Sequence, residues 1–208
     1  MKQNTILLTT IALLLGVIVG YIVANNSDEH WPGGMMHERM EEHSDDYDNM
    51  PMGNGGGMDH SMMTVSSERE FLTGMIPHHQ EAVDTAKEVI ERGGSTPEIK
   101  ALAENIVMAQ EREITEMKQW YFDWYGIQYE AKVEDYEPMM RELNGLSGAE
   151  LDRRFLEDMI RHHMGAIMMA QSVRPYIEHQ EVRDLTKAIV ETQTDEIQLM
   201  RRLVSELN

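Results

Sequence analysis

The chain repeats itself, and no other feature limits its fold as much. Phe71-Leu72-Thr73-Gly74-Met75-Ile76-Pro77-His78-His79 returns as Phe155-Leu156-Glu157-Asp158-Met159-Ile160-Arg161-His162-His163. Ala82 and Ala86 are answered by Ala166 and Ala170, and Gln110, Glu113, Ile114 and Met117 by Gln193, Glu196, Ile197 and Met200. The offset is 84 residues in the first block and 83 in the second, so the copies differ by one loop residue. A duplicated unit of this size is one supersecondary element that must pack against its twin to bury its apolar face.

Each copy reads as two helices. Ser67 with Glu70 makes a capping box ahead of a helix that runs to Gly93-Gly94. Thr96 then caps a second helix, with Pro97 at its first position, ending near Trp124. Ser147 with Glu150 repeats the box for a third helix that stops before Pro175, and a fourth starts near His179. Connections of a few residues make each pair an antiparallel hairpin. The predicted fold is therefore all-α, a four-helix bundle of two repeated αα-hairpins over residues 67–208. Repeat 1 spans 67–125 and repeat 2 spans 147–208. Between them runs a link, 126–146, with room for a short helix. Pro77 falls inside the first helix, where it either kinks it or begins a new one.

The 3.6-residue period picks out the inward stripes. They are Phe71, Met75, His79, Ala82, Ala86, Val89; then Ile99, Leu102, Ile106, Gln110, Glu113, Met117, Trp120; then Leu151, Phe155, Met159, His163, Ala166, Ala170; and last Val182, Leu185, Ile189, Gln193, Glu196, Met200, Leu203. Polar groups interrupt all four stripes at one level. Folding each hairpin about its loop sets His79 opposite Gln110 and His163 opposite Gln193. Buried and unpaired, such groups would cost a few kcal/mol each, on the order of 2 or more.

Three arrangements would satisfy that layer. The His, Gln and Glu side chains could close a hydrogen-bond network of their own. They could form a carboxylate dinuclear centre, although no Glu-x-x-His stands at this level. Or they could hold a metal. Met75 and His79 are four residues apart, as are Met159 and His163, and Met75–His78 and Met159–His162 are three apart, so each set projects from one helix face. Adjacent histidines point about 100° apart on a helix, so both cannot aim at one central point. Thioether with imidazole favours Cu(I), with Cu(II) or zinc as alternatives. The candidate ligands are Met75, His78, His79, Met117, Met159, His162, His163 and Met200, with Glu113 and Glu196 as ligands or as partners that fix the imidazoles. Gln110, Gln193, Met168 and Met169 are left open. His179 reads as a helix cap, Met108 as structural, and Trp120, Tyr121, Trp124 and Tyr125 as a plug at the bundle end.

The remaining sequence points the same way. Residues 6–24 are uncharged and mostly Leu, Ile, Val and Ala, which as a helix would cross a bilayer core, and Lys2 precedes them. Residues 1–24 are thus a signal peptide cleaved after Ala24 or an uncleaved anchor, and the rest is exported. With no cysteine, the exported part has neither disulfides nor thiolate ligands nor a lipid-bearing Cys. A formal charge of −19 repels phosphate backbones, which argues against nucleic-acid binding. Methionine is the compositional anomaly, with 19 in the chain. Residues 25–66 read as an acidic, Gly-rich flexible linker holding Met35, Met36, Met40, Met50, Met52, Met58, Met62 and Met63 among His30, His37, His43 and His60. A linker has no core for methionine to fill, so copper capture is the better reading.

The stretches Met75-Ile76-Pro77-His78-His79-Gln80, Met159-Ile160-Arg161-His162-His163-Met164-Gly165-Ala166 and Gln193-Thr194-Asp195-Glu196-Ile197 resemble the bacterial family called domain of unknown function 305. The resemblance covers roughly residues 67–208. It implies a ferritin-like helical bundle and an exported, copper-binding envelope protein of the kind linked to copper resistance, with His78, His79, His162 and His163 and nearby methionines as ligands. The copies depart from each other at Glu81 against Gly165 and at Asp84-Thr85 against Met168-Met169, so they need not bind equally. The function expected is sequestration, buffering or delivery of copper outside the cytoplasm, in contact with another copper-handling envelope protein. A metal-dependent oxidase and a partner-docking bundle with incidental metal are the alternatives.

Overall fold

Three of the four helix starts follow a Ser or Thr at the cap position, but not always through the capping bond itself. In the computed structural model, residues 63–92, 94–130 and 136–207 are described. The expected signal or anchor helix, and the linker up to residue 62, lie outside them. Among the described residues no helix is long and apolar enough to cross a membrane. Four helices carry the fold: α1 Glu68–Arg92, α2 Pro97–Tyr125, α3 Gly148–Ser172 and α4 Gln180–Glu206.

At α1, the Ser67 hydroxyl accepts the Glu70 N–H at 3.1 Å. Glu70 turns back one residue further than a standard box, to the N–H and hydroxyl of Ser66 at 2.8 and 2.7 Å. At α2, Thr96 is extended and accepts the Ile99 N–H, and Gly126 closes the helix at φ 70°, its N–H donating to the Phe122 carbonyl. The expected box at Ser147 does not form, for its side chain makes no capping bond. Gly148, the first residue of α3, has φ 56°, and that left-handed turn carries the serine hydroxyl off the first-turn amides. His179 occupies the cap position of α4, yet its ring does not cap either. It binds the buried Glu68 carboxylate at 2.6 Å and stacks on Trp124 at 3.7 Å.

α1 runs unbroken through Pro77. α1 packs on α2 and α3 on α4 as hairpins, and the hairpins meet chiefly through α1 and α3. The link forms no helix among its described residues. It lies across both central helices instead. The Met140 N–H donates to Glu81 of α1 at 2.8 Å, and the Arg141 N–H and guanidinium bind Asp158 of α3 at 3.0 Å. Leu143 is buried behind them.

The core is split in two. One apolar cluster gathers Phe71, Leu72, Met75, Ile114, Met117, Ala170, Val182 and Leu185 at one end. The other gathers Ala86, Ile99, Leu102, Leu151, Phe155, Met159, Met200 and Leu203 at the opposite end. Full burial of Phe71 and of Phe155 contributes roughly 2–3 kcal/mol each. The aromatic plug forms as expected, with one exchange. Tyr121, not Trp120, takes the inward position, and its hydroxyl accepts from the Arg69 guanidinium at 2.9 Å. Met108, expected to be structural, is 57% exposed, because it lies on the α2 face opposite Ile106 and Gln110.

Candidate metal centre

Between the two apolar clusters lies the polar layer. His78, His79, His162 and His163 are all buried, as are Gln110, Glu113 and Gln193. His79 Nε2 meets Glu113 Oε2 at 2.8 Å, and His163 Nε2 meets Glu196 Oε2 at the same distance. Simple folding of the hairpins set these imidazoles opposite Gln110 and Gln193. The contact moves one turn because helical side chains lean toward their own N-termini, and in an antiparallel pair the two leans converge.

This pairing decides the tautomer. A carboxylate only accepts, so each Nε2 carries a proton and donates it, and in the neutral tautomer Nδ1 is the acceptor atom. The Nδ1 atoms of His79 and His163 have no partner in the protein. Carboxylate, imidazole and an unused ring nitrogen in line are the arrangement by which proteins aim histidine at a metal.

The inner histidines behave differently. The His78 and His162 rings lie 3.7 Å apart, centroid to centroid, where α1 crosses α3. His162 Nε2 donates to the His78 carbonyl at 2.9 Å, with Glu81 at 3.4 Å, and its Nδ1 is unpartnered. Neither ring nitrogen of His78 has a partner. Burial holds the His78 imidazole well below its ordinary pKa, and the surrounding imidazoles of His162, His79 and His163 push the same way. Burial also lowers His162, against an opposing pull from Glu81. Both rings therefore remain neutral near neutral pH and keep their lone pairs for a soft cation.

Among the described residues, seven of the buried side-chain atoms without a partner belong to this one layer: five imidazole nitrogens and the carbonyl oxygens of Gln110 and Gln193. Each such atom costs roughly 1–3 kcal/mol if nothing meets it. A closed network of hydrogen bonds, the bland expectation, is not what these residues make. Gln110, Gln193, Glu113 and Glu196 also line a small cleft between α2 and α4.

The predicted methionines are all fully buried, but they are sorted. Met75 and Met117 lie in one apolar cluster, Met159 and Met200 in the other. Met169 is buried and Met168 half-buried, both on the side of Met75. No group of three or more His, Asp or Glu side chains is gathered for a metal among the described residues.

Glu81 escaped the sequence reading of the site. Its carboxylate accepts from Tyr136 and the Met140 N–H and faces His162. Burial raises its pKa, but the hydrogen bonds from His162, Tyr136 and Met140 outweigh that and leave it lowered. The one visible signal was the mismatch of Glu81 with Gly165 between the copies.

The family model described as Domain of unknown function (DUF305) matches residues 22–121 and again residues 68–204. The chain belongs to the DUF305 family. Among solved DUF305-like structures, CopM in its Cu(I)-bound form is 34% identical, with 68% of this chain and 98% of that one covered at a TM-score of 0.61. CopM in its Cu(II)-bound form is 33% identical over 69% of this chain and 99% of that one, with a TM-score of 0.63. A DUF305 fragment from Deinococcus radiodurans is 28% identical over 69% and 98% of the two chains, with a TM-score of 0.59. A curated relative, the uncharacterized protein L153 of Acanthamoeba polyphaga mimivirus, is 42% identical over 50 residues, 24% of this chain; the chain spans only 32% of that relative's length.

Proposed function

We propose that this DUF305 protein binds copper outside the cytoplasm, for sequestration, buffering or delivery, with Cu(I) as the preferred state. The observation that carries the reading is the row of buried, unpartnered imidazole nitrogens at mid-bundle, two of them on rings locked by Glu113 and Glu196. Neutral imidazole beside thioether suits soft d10 copper. The likeness to CopM, a protein solved with Cu(I), Cu(II) and Ag bound, supports copper as the metal.

In this reading His78, His79, His162 and His163 supply the nitrogen ligands, and Met75, Met117, Met159 and Met200 the sulfur. Residues 1–24 export or anchor the chain, and the Met/His segment of residues 25–66 collects copper for the bundle. An envelope partner that receives the metal completes the cycle. Titrating Cu(I) into the full chain against a colorimetric chelator tests the reading. His79→Ala with His163→Ala should release at least one tightly held equivalent. Unchanged copper retention in that double variant would overturn the assignment.

A further inference from the structure

The repeat breaks at the position that follows each His-His pair by two residues. In the first copy it is Glu81, which faces His162 from 3.4 Å and is itself held by Tyr136 and the Met140 N–H. In the second copy it is Gly165, with no side chain to offer His78. A methyl group placed on Gly165 would stand 3.0 Å from the sulfur of Met63, 3.2 Å from His78 Nε2 and 3.3 Å from the thioether methyl of Met139. His162 thus has a carboxylate beside it, whereas His78 shares the space over Gly165 with two methionines.

Neither methionine belongs to the repeat, and each is fastened. Met63 is 8% exposed and packs in the core cluster, and two residues on the Val65 N–H donates to the Ser172 hydroxyl at 3.0 Å. Met139 immediately precedes Met140 and Arg141, whose backbone N–H groups are bound by Glu81 and Asp158. The segment before α1 and the link before α3 therefore converge on a buried imidazole whose two nitrogens have no protein partner.

We infer that Met63, Met139 and His78 form a separate soft-metal site at Gly165, taking a monovalent d10 cation, Cu(I) or Ag(I), through one imidazole nitrogen and two thioethers. It rests on the copper reading above and adds a site distinct from the His79–Glu113 and His163–Glu196 pairs. Two sulfurs and one nitrogen suit a low-coordinate soft ion and give a hard divalent ion little to hold. Glycine is the one residue that leaves room for it.

The test is a titration of Ag(I) into the full chain carrying 13C-methyl methionine and 15N histidine. In the wild type the Met63 and Met139 methyl signals and the His78 Nε2 signal should move together. Met63→Leu with Met139→Leu, which keeps apolar bulk, should lose one tightly held equivalent while the His79 and His163 rings still respond. Gly165→Ala should lose the same equivalent with both thioethers present. If the Met63 and Met139 methyl signals stay still at saturation while the His79 and His163 rings shift, this inference fails and the copper reading survives. If no ring nitrogen responds, both fall.

Discussion

The two hairpins share one motif and use it differently. Their outer histidines are twins: His79 on Glu113 and His163 on Glu196, each at 2.8 Å and each with a free Nδ1. Their inner histidines are not. His162 has a carbonyl and a carboxylate beside Nε2, whereas His78 has two methionines nearby and no hydrogen bond. The repeat supplies a symmetric frame, and the difference between Glu81 and Gly165, together with Met63 and Met139 from outside the repeat, gives its two inner positions different chemistry.

The largest test of the symmetry is packing. Phe71→Ala and Phe155→Ala remove equivalent, fully buried rings, so each should cost about 3–5 kcal/mol in denaturant unfolding. A gap of more than half that between them would mean that the hairpins do not share the load evenly. Next come the carboxylates behind the outer rings. Glu113→Gln and Glu196→Gln should each weaken Cu(I) affinity by roughly 10–100-fold, measured by chelator competition. A loss at only one of them would extend the asymmetry from the inner pair to the outer.

pH probes the inner pair. His78 and His162 have folded values below the ordinary imidazole value of 6.5, so the unfolded chain takes up protons first as pH falls. Their contribution is fully present above that value and is lost as pH drops beneath it, by at most about 1.4 kcal/mol per pH unit for each proton. Denaturation midpoints of the metal-free chain should therefore fall between neutral and mildly acidic pH. A flat profile would break the picture of two buried neutral rings. The smallest effect is expected at Glu81→Gln, which weakens the contacts with Tyr136, Met140 and His162 and should cost about 1 kcal/mol. Since Gly165 has no such contacts, Gly165→Gln should give no matching gain in stability.

Much of this was legible beforehand, for identifiable reasons. Thr96-Pro97 marks a helix start by local chemistry alone, and the stripes from Phe71 to Val89 and from Leu151 to Ala170 follow from helical period. The polar level emerged because both copies interrupt their stripes at the same height. What stayed hidden depends on geometry beyond the pattern. The lean of side chains moved His79 from Gln110 to Glu113. The turn at Gly148 withdrew Ser147 from capping. Met63 and Met139 come from segments with no period, so only folding could bring them to His78.

The divided core has a consequence for how the molecule fails. Its two greasy ends are each well packed, and the stratum between them is the poorest in mutual satisfaction, so the middle is where the structure should loosen first. If copper seats there, the cargo acts as a keystone: at a hundredfold excess over its dissociation constant it would add about 2.7 kcal/mol of resistance to unfolding. Loaded and unloaded chains would then be told apart by their resistance to unfolding.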